Sequence, residues 1–127
     1  MKIILFGLNN FITDTVESML ISMDEWQVIR TSLVEEDYSP TTHDLDLLVA
    51  SLAGVSKSPI LHIKNLVNQY TSLPLLALHY YGDEFSVELL LQAGATGYLQ
   101  LGSSERTLHE AVLTVAKNET FVATENT

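Results

Sequence analysis

The residues whose types suit chemistry stand at the ends of apolar runs. Ser51 closes 46-DLLVAS-51 and His79 closes 73-LPLLALH-79. If the two runs are neighbouring strands, hydroxyl and imidazole come within reach, as a nucleophile and its base require. Asp83 is the nearby acid that would orient the histidine. No Gly-x-Ser-x-Gly elbow surrounds Ser51, so a hydrolase ranks below a serine held as a neutral, hydrogen-bonded structural residue. His79 suits a pH sensor by its ordinary titration range, or it simply fills a cleft. His43, His62 and His109 share no helical or strand spacing and read as surface residues rather than metal ligands. The chain has no cysteine, which excludes disulfides, Cys-type zinc sites and thiol nucleophiles.

Apolar patterning supplies the elements that must position these residues. Residues 2–6, 47–52 and 73–78 are continuous apolar runs, as in strands covered on both faces. Residues 26–32 and 98–101 predict two further strands. Helical spacing of apolar residues runs over 11–23, with an Asn before it as cap, and again over 60–70. Another helix is predicted over 83–92, ended by Gly94, and a last one is capped by Ser103 or Ser104. Residues 33–45 carry Glu35, Glu36 and Asp37 and then Pro40, so any helix there is short or broken. Strands alternate with helices five times, which argues for a flavodoxin-like, doubly wound α/β fold with helices on both faces of a parallel sheet. Sites in such sheets lie beyond the carboxyl ends of the strands, here Gly7-Leu8, Ser51, His79 and Leu101.

Composition narrows the function classes. The 127 residues suit one domain, and 46% hydrophobic content supports a real core. A net charge of −10 disfavours direct binding to nucleic acid or anionic membranes. No apolar run approaches the roughly 18 residues of a membrane span, and no signal peptide is recognisable, so the expected location is cytoplasmic.

The segments 93-AGATGYL-99 and 105-ERTLHEAVLTVAKNETFVA-123 carry a resemblance that 73-LPLLALHYYGDE-84 and 2-KIILFGLNNFITDTVESML-20 extend over nearly the whole chain. The sequence resembles the receiver domains of bacterial response regulators, above all those of LuxR/NarL-type transcriptional regulators that precede helix-turn-helix output domains. The resemblance implies a CheY-like five-stranded parallel sheet in the order 2-1-3-4-5. It also implies a receiver-like domain over 1–123, with 124–127 as a tail or the start of a linker. Working receivers phosphorylate an aspartate after the third strand and hold Mg²⁺ on two acidic residues after the first. A hydroxyl residue and a lysine bind the phosphoryl oxygens. The corresponding places here are Ser51, then Gly7 and Leu8, then His79 and Leu101. Asp44 and Asp46 fall at the opposite end of the strand. Only Tyr98, the aromatic that swings in family members, is kept.

The resemblance therefore implies an atypical receiver, without metal or cofactor, that is not an enzyme. It would act as a phosphorylation-independent interaction module in signalling or transcription regulation, pairing with a second copy or a signalling partner. Tyr98, Leu101, Tyr80 and Tyr81 are the expected interface and switch residues. Asp83, Glu84 and Glu88 read as a solvated helix face that complements the helix dipole. The alternatives are a receiver gated by a ligand in a remodelled cleft and a hydrolase using Ser51 and His79.

Overall fold

The computed structural model describes residues 1–32 and 44–125. The segment 33–43, with Pro40 and His43, lies outside the described residues, and so does most of the stretch 33–45 where the sequence allows at most a short or broken helix. In chain order the elements are β1 (Lys2–Phe6), α1 (Phe11–Ile21), β2 (Gln27–Thr31), β3 (Leu47–Ser51), α2 (Pro59–Gln69), β4 (Leu75–His79), α3 (Glu84–Gln92), β5 (Gly97–Gln100), α4 (Glu105–Ala116) and β6 (Phe121–Ala123).

Each helix begins at a side chain that satisfies an otherwise orphaned backbone N–H. Asn10, Ser58, Asp83 and Ser104 accept from the N–H of Thr13, Leu61, Ser86 and Thr107. Of the two serines expected to cap the last helix, Ser104 does so. Gly94 follows α3 with φ of 122°, the conformation that favours glycine after a helix.

The strands form one parallel sheet in the order β2-β1-β3-β4-β5-β6. Among the described residues the sheet thus has six strands where the sequence predicts five. Phe121–Ala123 adds the sixth beside β5, with Tyr98 opposite Val122. Three residues are too few for a pattern to register, and they read as the start of a connection. Leu101, expected in the fifth strand, lies in the turn after it.

β3 and β4 are buried along their whole length. Alternate side chains feed two cores. Leu47, Val49, Leu76, Leu78 and Leu99 pack with α1 and α4 on one face. Leu48, Ala50, Leu75, Ala77 and Tyr98 pack with α2 and α3 on the other. A fully buried leucine contributes about 2 kcal/mol by transfer from water, so the two cores hold the sheet's carboxyl edge rigidly in place.

Candidate functional site at the carboxyl edge of the sheet

The strand order reverses between β1 and β3, which is where such sheets open a crevice. Here short neutral contacts close it. Ser51 Oγ and Thr13 Oγ1 are 3.0 Å apart, and both residues are fully buried. Asn10 accepts from Thr13 N–H at 2.8 Å and donates through Nδ2 to the Ala53 carbonyl at 2.9 Å. Gly7 completes the closure. A Cβ at that position would stand 2.5 Å from Thr13 Cγ2 and 3.2 Å from Ser51 Cβ, so no side chain fits beneath α1. Leu8 lies half-buried beside it.

Among the described residues, the acids Asp14, Glu17 and Asp46 are engaged away from Ser51. Arg30 on β2 binds Asp14 at 3.1 Å and Glu17 at 3.0 Å, and its second amino group donates to the Leu8 carbonyl at 3.1 Å. Asp46 accepts from Lys2 N–H at 2.8 Å, at the amino end of the sheet as the sequence predicts. Among the described residues no three His, Asp or Glu side chains come together to hold a metal ion.

Ser51 and His79 do not meet as a nucleophile and base. Ser51 is in register with Leu78 and continues the row of Leu47 and Val49, toward α1. His79 follows the alternate row of Leu75 and Ala77, toward α2 and α3. Strand parity sends the two side chains to opposite faces, a point the sequence reading of adjacent strand ends overlooked. Asp83, the expected orienting acid, instead caps α3 through Ser86, and that hydrogen bond holds its carboxyl below the usual range.

His79 forms an aromatic step with the two tyrosines that follow it. Its Nδ1 accepts from Tyr80 N–H at 2.9 Å, which assigns the neutral ring's proton to Nε2. The ring lies 4.3 Å from that of Tyr81 and 5.7 Å from that of Tyr80. Burial lowers its pKa from the ordinary value of 6.5.

Tyr98, named from the sequence as an interface and switch residue, does not lie on the surface. It is fully buried, and its hydroxyl lies 2.6 Å from the Tyr81 carbonyl and 2.9 Å from that of His79. Burial pushes its pKa well up, so the group is a neutral donor. Tyr80 and Tyr81 do stand out, 48% and 37% exposed. Leu101 is half-buried on the other side of the sheet, against the α1–α4 core. There it lines a groove of about 340 Å³ whose walls include Phe11, Met19, Leu99 and Leu108. The expected patch therefore divides into an aromatic step above β4 and an apolar groove beside β5, with Tyr80 bordering both.

Three participants escaped the sequence reading. Thr13 gave no signal, being one polar residue inside a helix. Arg30 could have been paired with Asp14 and Glu17, whose helical spacing puts two carboxylates on one face. His109, read as a surface residue, is half-buried instead. Its Nε2 lies 2.7 Å from the Met19 carbonyl, and its ring meets Trp26 edge-on at 5.3 Å.

Neither a protein-family model nor a curated protein matches the sequence. Solved structures match well. The response regulator ChrA of a heme-sensing two-component system is 24% identical over 96% of this chain, with a TM-score of 0.73. The RcsB response regulator of Salmonella typhimurium, solved in a study of DNA interaction, is 15% identical over 97%, with a TM-score of 0.75. A pilus assembly protein CpaE from Burkholderia thailandensis is 14% identical over 92%, with a TM-score of 0.76, and this chain spans 98% of it. Of ChrA and RcsB the chain spans only 59% and 62%. The fold is thus that of response-regulator receiver domains. Among the described residues no helix is long and apolar enough to cross a membrane.

Proposed function

We propose that this chain is an atypical receiver-like module, over residues 1–123, that signals by protein contact without accepting a phosphoryl group. The observation that carries the reading is the closed crevice. Ser51 cannot form an acyl phosphate, its hydroxyl is buried against Thr13, and Gly7 leaves no room for an acidic side chain. An acyl phosphate brings about two negative charges, which a metal and a cation must balance. Leu101 supplies no charge, and Arg30 is committed to Asp14 and Glu17.

The module is not an enzyme on this reading, since Ser51 and His79 point to opposite faces. It needs no cofactor. Its location is cytoplasmic, and it does not bind nucleic acid itself, because a chain of net charge −10 repels phosphate backbones. Output resides in a partner, either a second copy or another signalling protein, met through the exposed Tyr80 and Tyr81 above the strand ends. Contact of this kind is constitutive, waiting on no phosphodonor.

The test is an amide NMR spectrum recorded with and without beryllofluoride plus Mg²⁺. The spectrum stays unchanged on this reading. Shifts concentrated at Gly7, Ser51 and His79 would show that the crevice still takes a phosphoryl analogue with its metal.

A further inference from the structure

The groove between α1 and α4 is a second feature, and its chemistry is unusual for this chain. Its floor is the buried pair Leu78 and Leu99, its walls are Val16, Met19 and Leu108, and Leu101 stands at its end. Phe11 borders it while 82% exposed. Among the described residues, not one that lines the groove is charged, although the chain carries 16 acidic and 6 basic residues.

The polar side chains of the lining are largely spoken for. Thr15 donates to the Phe11 carbonyl at 2.9 Å and Ser103 to the Gln100 carbonyl at 2.7 Å. Gln100 donates to the Tyr80 carbonyl at 3.0 Å and accepts from Glu125 N–H at 2.8 Å. A ligand with many hydrogen-bonding groups would lose water here and gain little in return. An anion is opposed by the net charge of −10, and a cation finds no carboxylate in the lining. An uncharged apolar molecule gives up no hydrogen bonds on entry, and removing its own surface and that of Phe11 from water offsets the freedom it loses on binding.

We infer that the α1–α4 groove is a binding site for a small, uncharged, predominantly apolar molecule, recognised by shape and by removal of apolar surface from water. A volume of about 340 Å³ lies within the range of small-molecule sites. A second copy is the poorer occupant. Two-fold pairing of the groove with itself sets hollow against hollow and brings together two chains of net charge −10. The inference does not rest on loss of phosphoryl chemistry, since none of its contacts involves Ser51 or Gly7. The beryllofluoride experiment and the one below therefore fail independently.

The probe is N-phenyl-1-naphthylamine, an uncharged aromatic whose fluorescence rises out of water, titrated into the intact chain and followed also by methyl NMR. The expected result is saturable binding at one probe per chain, with shifts at the methyls of Val16, Leu78, Leu99, Leu101 and Leu108. Leu101→Lys, which puts a charge at a half-exposed position, weakens binding at least tenfold. Thr15→Trp, which fills the groove from an α1 position near the surface, does the same. Phe85→Ser, at an exposed apolar residue away from the groove, leaves binding unchanged. Melting curves establish that each variant is folded. Absence of saturation at 100 μM probe, on the order of the weakest useful affinity, overturns the inference. So does equal binding by wild type and both groove variants. Probe binding that falls as protein concentration rises, with a dimer in sedimentation, also overturns it by making a second copy the occupant.

Discussion

Ser51 and Thr13 form a buried neutral pair, and that neutrality has a measurable consequence. Ser51→Asp buries a carboxylate whose close partner among the described residues is the Thr13 hydroxyl, with Arg30 already bound to two acids. Leaving a buried charge uncompensated costs about 3 kcal/mol at pH 7. Burial raises the folded-state pKa of such a carboxyl, while the unfolded chain ionises near 3.9. The penalty therefore grows as pH rises above about 4 and shrinks below it. Urea unfolding of wild type and variant at pH 4 and pH 7 checks both size and sign, with Ser51→Asn as the uncharged control. A variant as stable as wild type at pH 7 would mean that a counter-ion reaches the crevice. His79 titrates in another window. Burial lowers its folded-state pKa below 6.5, so the unfolded chain binds the proton more readily. Stability is held above that pH and declines as pH falls below 6.5. His79→Gln should lose this part of the pH dependence between pH 7.5 and pH 5. An unaltered dependence would place the responsible group elsewhere.

At the level of elements, the loop between β4 and α3 is held by Tyr98 from below. Its hydroxyl reaches the carbonyls of His79 and Tyr81, while Gln100 reaches that of Tyr80. Tyr98→Phe keeps the ring in the core and removes only the hydroxyl. The expected cost is about 1 kcal/mol, with faster amide exchange confined to the loop around Gly82. Uniformly faster exchange would assign Tyr98 to the core alone. The elements themselves were legible in the sequence because buried strands are apolar throughout and the helix caps stand at their starts. β6 was not, since three half-exposed residues gain their strand character from pairing with β5. The candidate site was legible as positions and not as geometry. The sequence puts Ser51 and His79 at adjacent strand ends, but the register decides which face each side chain takes. Tyr98 was misplaced for a related reason: a tyrosine beside exposed tyrosines gives no local sign that its row faces the core.

For the whole molecule, charge and apolar surface oppose each other in any self-association. The exposed Tyr80, Tyr81 and Phe85 lie near or on α3, which Asp83 caps and whose first two turns carry Glu84 and Glu88. Removing such aromatics from water contributes on the order of 25 cal/mol per Å² of apolar area. Two copies with net charge −10 repel while they approach. The repulsion between exposed charges is screened over about 10 Å at 0.1 M salt and about 3 Å at 1 M, whereas the apolar contribution is not weakened by salt. A homodimer built on this face should therefore tighten as salt is added, opposite to one held by ion pairs. Sedimentation velocity at 50 mM and 500 mM NaCl, over a range of protein concentrations, measures the trend. Tyr81→Ser with Phe85→Ser should abolish the dimer at both salts without touching the α1–α4 groove. Loosening with salt would point to an ion-paired interface elsewhere. A wild-type chain monomeric at about 100 μM in both salts, a Kd too weak for a stable pair, would leave a different signalling protein as the partner and exclude the second copy.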